Sequence, residues 1–167
     1  MKILLIRHGD PDYEHDTLTE QGWREAELLA QRMKTIPVDG FYLSPLGRAQ
    51  DTASVTLKAL NRTGETLPWL REFRGCIEEP FTGQRRCPWN MMPQYWTNQE
   101  LLLDPIRWRE DGILRTGDVA EVYEETAAGV DELLSRYGLQ RQGNLYVGEN
   151  QPKTIALFCH FGISMAI

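Results

Sequence analysis

The sequence sets a histidine between a permanent cation and a glycine at Arg7-His8-Gly9, directly after the aliphatic run Ile3–Ile6. An imidazole in that setting can accept a phosphoryl group. The guanidinium grips phosphate oxygens bidentately, and a glycine lets backbone approach an anion closely. Alone, such a tripeptide is also common in ordinary surface loops. Three residues of matching chemistry lie further along the chain. Arg48 falls near the start of a helix opening at Ser44-Pro45, where the helix dipole and a guanidinium would act together on an anion. Glu72 follows a third predicted strand, and His160 follows the last. Each also has a bland reading: a solvated arginine, a surface acid, a satisfied half-buried histidine. What unites them is that all follow predicted strands.

Those elements are read from periodicity. Lys2–Ile6 is a short buried strand. Thr19 caps a helix with Glu20 in its first turn; Ala26, Leu29, Ala30 and Met33 recur at helical spacing, and Pro37 ends the segment. Gly40–Leu43 is a second strand. Ser44-Pro45 reads as a cap with proline at the first helical position, and Ala49, Ala53, Leu57 and Leu60 form that helix's inner face. Thr66–Leu70 is a third strand. Gly117-Asp118 opens the clearest helix, carried by Val119, Val122, Thr126, Val130, Leu133, Leu134 and Tyr137, with Gly138 as its terminal glycine. Thr154–Cys159 is a last buried strand. Alternating strands and helices predict an α/β fold, a three-layer α/β/α sandwich with a mainly parallel sheet. Ligands of such sheets sit beyond the carboxyl ends of the strands, which is where His8 and His160 fall.

The 167 residues fit one domain over 1–167, large enough to hold a core without a disulfide or metal staple. Eighteen Lys and Arg against 24 Asp and Glu give a net charge of -6, which argues against nucleic acid as partner. A few clustered arginines still make a positive pocket on an acidic protein. No apolar stretch approaches a membrane span or a signal-peptide core, so a cytoplasmic protein without a membrane partner is expected. Cys76, Cys87 and Cys159 form no CxxC pair and read as reduced structural thiols. Residues 78–116 carry Pro80, Pro88, Pro93 and Pro105 beside Trp89, Trp96 and Trp108. They read as a variable, irregular insertion with one or two short helices, its aromatics building a satellite core and Arg85 and Arg86 facing solvent.

The blocks and their order resemble the histidine phosphatase superfamily, in its phosphoglycerate mutase-like phosphatase branch. Ile6-Arg7-His8-Gly9 looks like the opening motif, and Leu18-Thr19-Glu20-Gln21-Gly22 like the start of the first helix. Leu43-Ser44-Pro45-Leu46-Gly47-Arg48-Ala49-Gln50-Asp51-Thr52-Ala53 looks like the second block. Leu70-Arg71-Glu72, with Gly75 and Glu78-Glu79, looks like the third, and His160 with Gly162 like the closing motif. The resemblance implies a phosphoglycerate mutase-like fold and a metal-independent phosphomonoester hydrolase that needs no cofactor and takes a small phosphorylated substrate. It implies that His8 attacks phosphorus and becomes phosphohistidine, and that Arg7, Gly9, Arg48 and His160 surround the phosphoryl group. Glu72 would protonate the leaving alcohol and then take a proton from water; Glu78 and Glu79 compete for that role. Positioning and charge stabilisation dominate such chemistry. His8 must present one unprotonated nitrogen, so a hydrogen bond fixing the other is expected. A phosphoglycerate mutase, or a catalytically weak phosphate-ester binding module, are the alternatives.

Three departures stand out. Asp10-Pro11-Asp12 replaces the family's frequent Glu-Thr and nearby Asn, bringing negative charge toward the mouth of the site. Phe161 replaces the glycine that usually follows the closing histidine. Seven residues follow His160, where the family normally continues with a helix. The fold is therefore expected to lack that C-terminal helix, leaving Ile163, Met165 and Ile167 without intrachain cover. A truncated chain, or self-association into a homo-oligomer through that apolar end, is the corresponding expectation.

Overall fold

The aliphatic N-terminal run forms the first strand of a four-stranded parallel sheet in the computed structural model, which describes residues 1–149 and 151–167. In chain order the elements are β1 (Lys2–Arg7), β2 (Pro11–Asp12), β3 (Thr17–Leu18), α1 (Glu20–Met33), β4 (Gly40–Leu43), α2 (Gly47–Leu60) and β5 (Glu65–Thr66). They continue with β6 (Ile77–Glu78), β7 (Arg85–Arg86), α3 (Val119–Ser135), β8 (Leu139–Gln142), β9 (Leu145–Gly148), β10 (Thr154–Cys159) and α4 (Phe161–Ala166). The main sheet runs β1-β10-β4-β5, every pair parallel.

Residues Met1–Phe73 and Gly129–Ile167 make one compact unit, which contains this sheet, and Arg74–Ala128 make a second. In the first unit, side chains alternate across the sheet, as a pleated strand requires. One face carries Leu4, Ile6, Phe41, Leu43, Ala156 and Phe158, and packs on Met33 and Leu29 of α1 and Ala53 and Leu57 of α2. The other carries Tyr42, Ile155 and Leu157, all buried. On that side the Tyr42 hydroxyl hydrogen-bonds that of Tyr137, just past α3, at 2.8 Å. These are the three expected layers.

Several local expectations are corrected. β1 is an edge strand, not a buried one: Ile3 and Leu5 are 37% and 43% exposed, because only β10 pairs with it. Thr66–Leu70 splits into the two-residue β5 and a 3-10 turn at Pro68–Leu70, proline fixing the turn's first φ. The second helix opens at Gly47, with Leu46 as N-cap, so Ser44 caps nothing. Thr19, by contrast, caps α1 as expected, its hydroxyl accepting the Gly22 N–H at 3.1 Å. The residues after His160 do form a helix, the six-residue α4, and Ile163 is fully buried; Met165 is exposed. A hairpin of β8 and β9, turning at Gly143 with φ +61°, was not read from the sequence.

The second unit is irregular. The β6–β7 hairpin is followed by five 3-10 turns between residues 88 and 116, where one or two short helices were expected. Prolines at the first position of two of these turns bar them from extending toward the N-terminus. Trp108 packs edge-on against Tyr123, and Phe81 tilts against Tyr95. Arg85 pairs with Asp118 at 3.2 Å while staying largely in solvent. Among the described residues, no helix is long and apolar enough to cross a membrane.

Candidate active site

Parallel register brings the two histidines together. Arg7 pairs with Cys159, so the next residues, His8 and His160, leave neighbouring strands at the same level. The His8 N–H continues the ladder to the Cys159 carbonyl at 3.1 Å. The rings end up with centroids 5.1 Å apart. On the far side of β10, Leu43 pairs with Phe158, and the Ser44 N–H donates to the Phe158 carbonyl. Ser44 thus sits one level below His160, and its Oγ lies 2.7 Å from His160 Nε2.

His8 is buried, and its Nδ1 donates to the Gly9 carbonyl at 2.8 Å. That bond fixes the proton on Nδ1 and leaves Nε2 unprotonated, the state in which an imidazole nitrogen can act as base or nucleophile. Burial lowers the His8 pKa below its ordinary value; Arg48 and Arg7 lower it further, while the Gly9 carbonyl and Glu72 oppose them. His160 is wholly buried, and burial, followed by Arg48 and His8, lowers its pKa to about 3. Both imidazoles are therefore neutral near pH 7.

Arg48 is 9% exposed and held on two sides. Its Nη1 donates to Asp16 Oδ1 at 2.5 Å, and its guanidinium carbon lies 5.4 Å from the Tyr13 ring centroid. Both partners come from the turn between β2 and β3. Asp16 Oδ2 also accepts the Gly47 N–H at 2.7 Å, supplying from a distance the cap that α2 lacks locally. Asp16 adopts φ +50°, which aspartate tolerates better than most residues. Burial disfavours its charge, but the Gly47 N–H and Arg48 outweigh that and hold its carboxyl below its usual value. A Cβ on Gly47 would stand 2.1 Å from the Asp16 carbonyl oxygen, so this close approach requires glycine.

Gly9 serves packing in a way the sequence did not suggest. Its N–H donates to Thr52 Oγ1 at 3.0 Å and so does not point freely at an anion. A Cβ there would stand 2.8 Å from the Gly22 carbonyl oxygen in α1. Arg7 is exposed, and lines with His8, Gly9, Asp10, Pro11 and Glu25 an open depression of about 200 Å³. Asp10 and Asp12 are occupied within the loop: Asp10 accepts the Thr19 hydroxyl at 2.6 Å, and Asp12 pairs with His15 at 2.8 Å.

Glu72 is half-buried, its Oε1 accepting the N–H groups of Phe73 at 2.9 Å and of Ile163 at 3.3 Å. Its charge is felt at His8. Glu79 is bound up within the second unit, its carboxylate taking the Thr82 hydroxyl and N–H, which lower its pKa. Glu78 is exposed on β6. Among the described residues, two buried polar atoms of this cluster have no hydrogen-bond partner: Arg48 Nε and His160 Nδ1. Among the described residues, no group of three or more His, Cys, Asp or Glu side chains is arranged to hold a metal ion.

The fold gathers His8, Arg48, Glu72 and His160, which the sequence singled out, at one end of the sheet. The sequence reading missed Asp16 and Tyr13, which reach Arg48 from the β2–β3 turn, and Thr52, which reaches Gly9 from α2, and it misread Ser44 as a helix cap. For Ser44 a signal was present, since it too follows the carboxyl end of a strand.

Known proteins resemble this chain in part of its sequence and in fold. A 73-residue stretch is 40% identical to a 2,3-bisphosphoglycerate-dependent phosphoglycerate mutase of Thermoplasma acidophilum, covering 37% of this chain and 36% of that protein. An 88-residue stretch is 35% identical to a probable phosphoglycerate mutase of Yersinia pestis, covering 47% and 41%. The matched stretches thus span about two fifths of these relatives or less. The fold matches that of mycobacterial glucosyl-3-phosphoglycerate phosphatase with a TM-score of 0.58 at 22% identity, over 98% of this chain and 76% of that one. It also matches phosphoserine phosphatase of Entamoeba histolytica, solved with 3-phosphoglyceric acid, with a TM-score of 0.56 at 18% identity over the same shares. Since the profile of the histidine phosphatase superfamily (branch 1) runs from residue 3 to residue 163, across both strand-end histidines and nearly everything between them, the chain belongs to that superfamily.

Proposed function

We propose that this protein hydrolyses a small phosphomonoester through a phosphohistidine on His8. One observation carries the reading: His8 has Nδ1 tied to the Gly9 carbonyl, leaving Nε2 to attack, and its ring neighbours that of His160, whose buried Nδ1, like the buried Arg48 Nε, has no hydrogen-bond partner among the described residues. Buried donors without partners are costly, and the oxygens of a phosphoryl group would satisfy them. In the first step His8 Nε2 bonds to phosphorus, the bond from phosphorus to the ester oxygen breaks, and Glu72 protonates the leaving alkoxide. In the second, water attacks phosphorus, Glu72 takes its proton, the P–N bond breaks, and inorganic phosphate leaves. The reaction draws on charge stabilisation by Arg7, Arg48 and His160 and on the covalent intermediate. Glu72 is preferred to Glu79 as the acid because Glu79 is held ionised by Thr82. With Oε1 taken by two N–H groups, Oε2 of Glu72 is the atom free to exchange the proton.

The test is to quench wild type and His8→Ala during turnover of p-nitrophenyl phosphate and weigh the intact proteins at alkaline pH. An added phosphate on wild type alone, with hydrolysis lost in His8→Ala and reduced at least tenfold in Glu72→Gln, supports the proposal. Hydrolysis that survives His8→Ala overturns it. Phosphate binding with no adduct and no turnover would mark a binding module. The names of the curated relatives favour a second reading, a phosphoglycerate mutase. Isomerisation of 3-phosphoglycerate primed by 2,3-bisphosphoglycerate would establish that one.

A further inference from the structure

Resting on that reading of the site, we propose that Ser44 is a positioning residue whose hydroxyl donates to His160 Nε2 and keeps the imidazole proton on Nδ1, as a neutral donor to the phosphoryl oxygens. Ser44 and His160 are both fully buried and 2.7 Å apart. A hydroxyl has one hydrogen and two lone pairs. The Leu46 N–H already donates to Ser44 Oγ at 3.2 Å, so the serine has an acceptor role filled and a hydrogen to place. His160 Nε2 is its partner, and a nitrogen that accepts there must be unprotonated. The single proton of a neutral imidazole then lies on Nδ1, the atom that has no partner among the described residues.

The opposite tautomer fails on two counts. Nε2–H would leave the serine hydrogen without the acceptor it now has. It would also leave a bare lone pair on Nδ1, which phosphate oxygens repel. A doubly protonated ring is opposed first by burial, then by Arg48 and His8 and, more weakly, by Arg7, with Asp16 acting in its favour. A neutral imidazole placed as a hydrogen-bond donor polarises oxygen without needing a counter-ion. The register of the sheet supplies the rest. Ser44 and His160 leave adjacent strands at nearly one level, so the contact is set by backbone pairing rather than by flexible side chains.

The experiment is heteronuclear NMR of the ring nitrogens in protein labelled with ¹⁵N-histidine, with His160→Gln used to assign the signals. In wild type, His160 is expected to show a protonated Nδ1 and a bare Nε2, with no titration between about pH 5 and pH 8. Ser44→Ala should give averaged nitrogen shifts from mixed tautomers, weaken inorganic phosphate binding, and lower kcat by about 10- to 100-fold. Ser44→Thr, which keeps the hydroxyl, should restore the ring signals. A proton on Nε2 in wild type, or ring signals unchanged in folded Ser44→Ala, overturns the proposal without any need of turnover. An Nδ1–H tautomer that depends on Ser44, in a protein that binds phosphate but does not hydrolyse esters, would support Ser44's role and count against the phosphohistidine reading alone.

Discussion

Asp16 can be removed in two ways that separate what its carboxylate does. It accepts the Gly47 N–H and the Arg48 guanidinium at the same time. Asp16→Asn keeps an amide oxygen for Gly47 and a side chain that tolerates positive φ, but loses the charge. Asp16→Ala loses both bonds and places a residue at φ +50° that is less at ease there. The cap alone is worth about 1 kcal/mol. The ion pair lies between two regimes, with side-chain exposures of 11% for Arg48 and 42% for Asp16. Exposed pairs give roughly 0.2–1 kcal/mol, whereas stranding a buried charge costs about 3–5 kcal/mol. Arg48 would lose its carboxylate partner and keep the Tyr13 ring, so about 2 kcal/mol is taken for Ala and about 1 kcal/mol for Asn. The expected losses are then about 1 kcal/mol for Asn and about 3 kcal/mol for Ala. For a chain of this size they lower Tm by about 2–4 °C and 6–12 °C. A loosened guanidinium also misplaces the phosphoryl group, so kcat/KM should fall about 10-fold in Asn and about 100-fold in Ala. Urea titrations and steady-state kinetics on a generic phosphomonoester would measure both. Because the folded carboxyl titrates below its usual value, the stability gap between wild type and Asp16→Asn should be full above about pH 5 and close in acid. Equal stability losses for the two variants, with kinetics untouched, would refute the role given to Asp16.

Gly47→Ala should be at least as harmful as Asp16→Ala, because its Cβ would stand 2.1 Å from backbone rather than from a movable side chain; thermal melts and kcat/KM should fall together. Since burial lowers the pKa of His8, the proposed nucleophile, the acid limb of kcat/KM should turn down below the ordinary histidine range. The two neutral, buried histidines also predict that global stability declines as pH falls from 6.5, where the unfolded chain takes up protons that the folded one resists; urea midpoints along a pH series would show it. Phe158→Ala, at the centre of the sheet's packed face, should cost about 3–5 kcal/mol, read as a lower urea midpoint.

The order of elements was legible because each carries its own local signal. α1 has a capping threonine and a regular inner face, and β10 is an apolar run that can only be central. β1 was misread for a related reason. Lys2–Ile6 looks the same whether one neighbour or two pair with it, and strand order is a tertiary fact. The site was legible where chemistry follows a strand end, at His8 and His160, or the start of a helix, at Arg48; Glu72 was singled out as following a strand, although a 3-10 turn precedes it. What escaped was the support. Asp16 and Tyr13 reach Arg48 only because β2 and β3 fold the intervening turn back over α2, and no spacing in the sequence encodes that reach. Ser44 fits two rules at once, helix cap and strand end, and the sequence alone favoured the wrong one.

The short segment after His160 is part of the site as well as the end of the described chain. Its Ile163 N–H and that of Phe73 both point at Glu72 Oε1, while Ser164 donates through its N–H and its hydroxyl to the His160 carbonyl. Glu72, the proposed general acid, and His160 are thus tied to the same turn of α4, and Ile163 beneath them is buried. Any change that unwinds α4 should therefore release Glu72 and His160 together. Ile163→Pro removes the N–H that Glu72 uses and also breaks the turn, whereas Ile163→Val keeps both. Loss of turnover in the first with activity retained in the second would place the proton-transfer group under the control of this helix. Equal activity in both would show that Glu72 is held by Phe73 alone.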